Sequence, residues 1–175
     1  MWSASTGVHE VRGVVRRKYR AVGGPGGPLG LPTADEAAVT GSAGARLSRL
    51  QHGTIYWSGA TSAHVVKGAV LAHYLNLDGP RLLGLPVTDE EQVSRGRVSG
   101  FTGGRIYWAR GTGAHEVHGN ILTAYLSTDS GGPYGRLGFP LSDERPTTTE
   151  GRRNDFEGGW ITWSATDGAV VHYRD

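Results

Sequence analysis

Three histidines, His9, His64 and His115, are the side chains best suited to acid–base or metal chemistry, and each stands seven residues after a tryptophan, at Trp2, Trp57 and Trp108. One histidine per repeat supplies no His-x-x-His or His-Glu-x-x-His pair of the kind that builds a zinc site. The spacing favours a ring N–H bonded beside the Trp and anchoring a hairpin loop, with convergence of three rings on a metal as the sharper alternative. Paired carboxylates occur at Asp35-Glu36, Asp89-Glu90 and Asp143-Glu144. Glycoside hydrolysis needs two carboxyls in different environments, whereas three equivalent pairs imply equivalent environments. Repetition therefore points to Asp35, Asp89 and Asp143 as caps of a turn or helix start, or as acceptors of sugar hydroxyls. Ser58, Ser142 and Ser164 lack a Gly-x-Ser-x-Gly elbow, and Gly-Gly-Pro-Gly-Gly at 23–27 puts Pro where a phosphate-binding helix would begin. No catalytic residue, metal or cofactor is expected.

The elements that must position these groups follow from a tandem repeat. Trp2, Trp57, Trp108 and Trp163 are 55, 51 and 55 residues apart, and Pro32, Pro86 and Pro140 are 54 and 54 apart. Each Trp opens a related phrase, WSASTGVHEVRG, WSGATSAHVVKG, WARGTGAHEVHG and the shorter WSATDGAVVHY, in which Val170 replaces the histidine. A four-residue loop at 59–62 would pair Trp57 with His64 and Ile55 with Val66 on one face, leaving Tyr56 and Val65 on the other. A glycine then switches the period: Val15/Tyr19, Val70/Tyr74 and Ile121/Tyr125 are i,i+4 pairs on short helices. Leu-Gly-Leu-Pro at 29–32 and 83–86 and Leu-Gly-Phe-Pro at 137–140 read as tight turns, with Leu29, Leu83 and Leu137 plugged into the core.

The expected fold is α+β and β-rich, with four β-hairpins alternating with three short helices in a pseudo-symmetric compact array that is closed or ring-like. It forms one repeat domain over residues 1–175, with repeats at about 1–49, 50–100 and 101–153 and a partial one at 154–175. Glycine, 29 of 175 residues, serves as punctuation in these turns. Net charge is only +2, so nucleic acid is not an expected partner. Arg12, Arg16, Arg17, Lys18 and Arg20 form the wet face of the first helix. No apolar run is long enough to span a membrane, and the start of the chain has no export signal. Opening directly in a core strand suits a fragment of a larger protein.

GGPYGRLGFPLSDE at 131–144, GGPGGPLGLPTADE at 23–36 and FTGGRIYWARGTGAHEVHG at 101–119 resemble the LGFP repeat family of actinobacterial envelope proteins. The resemblance covers the whole chain. It implies an extracellular or cell-envelope module that binds cell-wall glycan of the arabinogalactan or peptidoglycan type, fused to or associated with an envelope enzyme. The chain departs from the family at Ser62, where glycine is preferred, and at Val170.

Aromatic side chains divide by register. Trp2, Trp57, Trp108 and Trp163 recur in fixed register and are expected in the shared core with Pro32, Pro86 and Pro140. Tyr56 and Tyr107, on the other strand face, are candidate glycan contacts, as is Trp160, which breaks the repeat where Arg105 and Thr54 stand in other copies. Arg105, Asp35, Asp89, Asp143, His64 and His115 complete the ligand-binding candidates. The reading is a monomeric, non-catalytic glycan-binding module. A protein-interaction scaffold and a wall hydrolase or esterase accessory domain are the alternatives.

Overall fold

The computed structural model describes residues 2–3, 6–148 and 151–175, and the side chains of 2 and 3 lie outside the described part. The chain forms two compact units, one of residues 1–90 with 100–102 and the other of residues 91–99 with 103–175.

The first unit opens with β1 (Trp2–Ser3) paired to β2 (Gly7–Val8), followed by helix α1 (Gly13–Ala21). An antiparallel sheet follows, in sequential order β3 (Ala37–Ala38), β4 (Arg46–Leu50), β5 (Gly53–Ser58) and β6 (Ser62–Lys67). Helix α2 (Gly68–Asn76) and the one-turn α3 (Gly79–Leu82) complete it. Helices α1 and α2 both pack on β5 and β6. Cross-strand pairing puts Ile55, Val65, Trp57 and Ala63 on one face and Tyr56, Thr54, His64 and Val66 on the other. The Ile55 face meets Val15 and Tyr19 of α1 together with Leu29. The Tyr56 face meets α2, where the Tyr56 and Tyr74 rings sit edge-on at 5.6 Å. Cover on both faces explains why β5 is almost wholly buried instead of alternating.

The second unit contains two sheets of the same order. One is β7 (Glu91–Val93), β8 (Gly96–Gly100), β9 (Gly104–Ala109) and β10 (Gly113–His118), followed by helix α4 (Gly119–Ser127). The other is β11 (Arg145–Pro146), β12 (Arg152–Phe156), β13 (Gly159–Ser164) and β14 (Gly168–Tyr173). Helix α4 lies between them, packing on β9 and β10 and on β13 and β14. Tyr107, Ile121, Tyr125, Leu137, Phe139, Phe156 and Ile161 form the core there.

The repeated β-rich α+β architecture thus matches the expectation, and the helices begin at the glycines singled out in the sequence. Gly68 and Gly119 adopt φ of +56° and +55°, a turn of the backbone that a side chain would resist. Three features differ. Apart from the β1–β2 pair, each sheet has four strands, two more than the hairpin read from sequence. Every sheet is open, with two edges, so strand pairing lends no support to a ring. The hairpin register is one residue away from the expected one, with Tyr56 opposite His64 and Trp57 opposite Ala63. The loop is only Gly59-Ala60-Thr61 because Ser62 takes the left-handed conformation, φ +66°, where the other copies use Gly7, Gly113 and Gly168. A turn with such a residue in its last position closes on three residues, and a one-residue slip moves a side chain to the other face.

Candidate functional site

The register places each repeated histidine beside the acidic pair of the following Leu-Gly-x-Pro turn. In the third copy His115 Nε2 bonds the Thr112 carbonyl at 2.9 Å, while Nδ1 meets Asp143 Oδ1 at 3.2 Å. The same oxygen accepts the N–H of Glu116 at 3.1 Å. In the second copy His64 Nε2 bonds the Thr61 carbonyl at 2.7 Å, Asp89 Oδ1 accepts the Val65 N–H at 2.9 Å, and His64 Nδ1 stands 3.5 Å from that oxygen. In the first, Asp35 Oδ1 accepts the Glu10 N–H at 3.0 Å and faces His9 Nδ1 at 3.4 Å. Each Asp is therefore a clasp. It satisfies a backbone donor on the outer edge of a hairpin and sits beside the imidazole, which in the second and third copies braces the hairpin loop.

The neighbouring glutamate repeats the clasp one step along. His118 Nε2 lies 3.5 Å from Glu144 Oε1, and Lys67 Nζ lies 3.9 Å from Glu90 Oε1. Arg12 offers its backbone N–H to Glu36 at 3.4 Å. From the next sheet, Arg46 reaches Glu36 and Arg152 reaches Glu144, at 3.2 and 2.7 Å. The third copy adds Glu116, only 2% exposed, whose carboxylate accepts the Glu144 N–H at 2.8 Å and pairs with His118 Nδ1 at 2.6 Å. Asn154 closes the cluster by donating to the Glu116 and Ser142 carbonyls at 3.0 and 3.1 Å. With a buried carboxylate matched by a histidine and a backbone donor, the charge is compensated where it sits.

These contacts set the protonation of the site. The Asp143 hydrogen bond raises the His115 pKa against the opposing effect of burial, and Glu116 does the same for His118. The Glu10 N–H, then His9, hold Asp35 below the ordinary carboxylate range. Burial pushes Asp89 up, but the Lys18 ammonium and the Val65 N–H outweigh it and keep it low.

The tyrosines and tryptophans exchange the places expected of them. Tyr56 and Tyr107 are 2% and 1% exposed, each beneath a helix tyrosine, so they are core residues and not surface contacts. Burial raises the Tyr56 pKa to about 12 and also raises that of Tyr107, partly offset by the half-buried Arg105 on the same strand face. Trp57, Trp108 and Trp163 are half-buried at the rim of the core rather than at its centre, while in the first two hairpins the helix that follows covers the Tyr face. Leu29, Leu83 and Leu137 are buried as expected, and Pro32, Pro86 and Pro140 bridge to Leu50, Phe101 and Phe156.

Sequence reasoning also missed the hydroxyls of Tyr19, Tyr74 and Tyr125, which donate to the carbonyls of Gly30, Gly84 and Gly138 at 2.8, 2.6 and 2.6 Å. One tyrosine on the last turn of each helix, 11, 10 and 13 residues before the glycine of the next Leu-Gly-x-Pro turn, was the available signal. Ser58 Oγ accepts the Thr61 N–H and Ser164 Oγ the Asp167 N–H, both at 3.0 Å, so these serines cap hairpin loops. Ser142 Oγ accepts the Asp155 N–H at 3.0 Å.

Trp160 is half-buried on the face of the last sheet that α4 does not cover. His172 of β14 stacks on its ring at 5.0 Å, and the Arg153 guanidinium of β12 lies 4.7 Å from the ring centre. Trp160 stands two residues before Thr162 on the same strand face, and Thr162 occupies the place of Tyr56 and Tyr107. No described helix packs on that face, and a threonine suits it.

Fold and site together define a tandem-repeat module in which an acidic pair after each Leu-Gly-x-Pro turn locks the preceding hairpin. The chain belongs to the LGFP repeat family, whose sequence profile matches residues 29–81, 83–132 and 137–174. The first two matches each take in one four-stranded sheet and its helix, and the third takes in the last sheet. A search of curated proteins gives no match.

Proposed function

We propose that this chain is a non-catalytic module that holds itself, and an enzyme fused to or associated with it, on cell-envelope polysaccharide. The observation that carries the reading is the repeated clasp. Every His–Asp pair with the composition of an acid–base couple has its carboxylate engaged by a backbone N–H of the same hairpin. Such a carboxylate gains its stability from a fixed partner, whereas a general base must be free to take a proton from a substrate. The family membership supports envelope association. Weak repeated surface sites on a rigid scaffold suit retention on a polymer, where binding at one site raises the effective concentration at the next. The module acts as a monomer and needs no cofactor.

Sedimentation of the purified chain with an arabinogalactan–peptidoglycan wall fraction tests this. The expected result is co-sedimentation and release by soluble wall polysaccharide, with no reducing ends or ester products formed. A chain that stays in the supernatant, or one that degrades the wall in a manner abolished by His115→Ala, overturns the reading.

A further inference from the structure

In a repeat protein the informative side chains are those that one copy carries and its sisters lack. The three nine-residue helices align residue for residue from Gly13, Gly68 and Gly119. Arg16 of α1 stands where Leu71 and Leu122 stand, Arg20 where Leu75 and Leu126 stand, and Arg17 where Ala72 and Thr123 stand. Val15 and Tyr19 keep the buried stripe; Leu122 packs against the edge of its core, while Leu75 and Leu126, at the position of Arg20, are exposed. The neighbouring cations are engaged, Arg12 with Glu10 and Lys18 with Asp89. Arg16, Arg17 and Arg20 are exposed and have no ion-pair partner among the described residues.

Arg16 and Arg20, one helical turn apart, line a cleft of about 660 Å³ together with His9, Glu10, Pro25 and Asp35. Residues four apart on a helix project side by side, so the two guanidinium forks can close on one anionic group. Glu10 and Asp35 share the cleft and would repel the two closely spaced phosphate strands of a nucleic-acid duplex, while their oxygens accept hydroxyls. Among the described residues the cleft has no Phe, Tyr or Trp in its lining to stack a base. A neutral sugar would gain little from two unpaired cations. We infer that this cleft binds an anionic saccharide unit, a carboxylate or phosphodiester group flanked by sugar hydroxyls, with Arg16 and Arg20 as its anion clamp. The inference rests on the envelope-glycan reading and adds the ligand's charge and its place.

Calorimetric titration of the full chain with polygalacturonate, a glycerol-phosphate polymer, neutral dextran and duplex DNA tests it and separates carboxylate from phosphodiester. The unmodified chain is expected to bind one or both anionic polymers and not dextran. Arg16→Gln/Arg20→Gln is expected to weaken that binding about tenfold or more, the loss of a charge-assisted fork. Arg17→Ala, exposed on the same helix but outside the cleft, keeps it. Arg16→Leu/Arg20→Leu, which installs the residues of the sister helices, should match the Gln pair. Equal binding by the Gln pair and the parent, an equal loss in Arg17→Ala, tighter binding to DNA, or no binding to either polymer overturns the inference. If the Gln pair still sediments with the wall fraction while its polymer binding equals the parent's, the envelope reading stands and this site falls. If the anionic polymers bind through the arginines but the wall fraction does not, the reverse holds.

Discussion

Replacing Asp143 tests the clasp directly, because two substitutions separate its hydrogen bonds from its charge. Asp143→Ala leaves the Glu116 N–H, in a residue 2% exposed, without an acceptor and frees the His115 ring. An unsatisfied buried donor costs about 1–3 kcal/mol, so urea denaturation should show a loss in that range. Asp143→Asn keeps an oxygen for the N–H and removes only the ionic part. That part belongs to a half-buried pair and is worth about 0.2–1 kcal/mol. Its pH dependence has a definite sign. The His115 pKa is raised in the folded state, so the stabilisation is fully present below the unfolded value near 6.5 and fades as pH rises through the folded value. His118, raised by Glu116, contributes with the same sign and remains in both proteins, so the informative quantity is parent minus Asp143→Asn. That difference should be larger at pH 5.5 than at pH 9. A difference that is flat or grows with pH, or an Asp143→Ala loss below about 0.5 kcal/mol, would refute the clasp as the tie between turn and hairpin.

Other perturbations follow from the same geometry. Ser62→Gly removes a left-handed non-glycine residue and should stabilise the chain by about 0.5–1 kcal/mol, while Gly113→Ser in the sister loop should cost a similar amount; paired melting curves check both signs. Tyr125→Phe leaves the Gly138 carbonyl without its donor and should cost about 1–2 kcal/mol in urea, with Tyr74→Phe behaving alike at Gly84. The folded pKa of Asp89 is lowered, so its contribution is present above the unfolded value near 3.9 and is lost as pH falls through the folded value; Lys18→Met should flatten the acid limb of the stability curve, read by circular dichroism between pH 5 and pH 2.

Much of this fold was legible because the repeat converts weak local signals into a pattern. The glycine switches, the i,i+4 helix stripes and the buried leucines each recur three times, and periodicity fixes them without knowledge of distant contacts. The inner strands β4, β8 and β12, which precede each hairpin, escaped; the last reads Arg152-Arg153-Asn154-Asp155-Phe156, polar at nearly every position. It is a strand because Arg152 pairs with Glu144 and Asn154 with the Glu116 and Ser142 carbonyls, partners set by tertiary placement, while Arg153 pairs along the strand with Asp155. The hairpin register has a more local cause. A hairpin with one fewer loop residue turns each side chain on the second strand to the opposite face, and only the left-handed φ at Ser62 and Gly113 reveals it. The burial of Tyr56 and Tyr107 on the first strand depends on which face the following helix covers, and alternation alone does not say that.

The departures from the repeat carry a different kind of information from its regularities. Where a helix covers the second face of a sheet, tyrosine fills the position under it, as Tyr56 and Tyr107 do; on the last sheet, where no described helix covers that face, Thr162 takes the place and Trp160, Arg153 and His172 form a stacked row. That replacement is what loss of a packing partner predicts, and it has a structural explanation. Arg16 and Arg20 differ in this respect. Their positions are occupied by leucine in both sister helices, the buried stripe beneath them is unchanged, and no acidic partner compensates them among the described residues. Packing accounts for Thr162 and for Leu122, which meets the core, but not for an exposed Arg20 where Leu75 and Leu126 are exposed too; an unpaired cationic pair lining a cleft is the arrangement that a negatively charged ligand would complete.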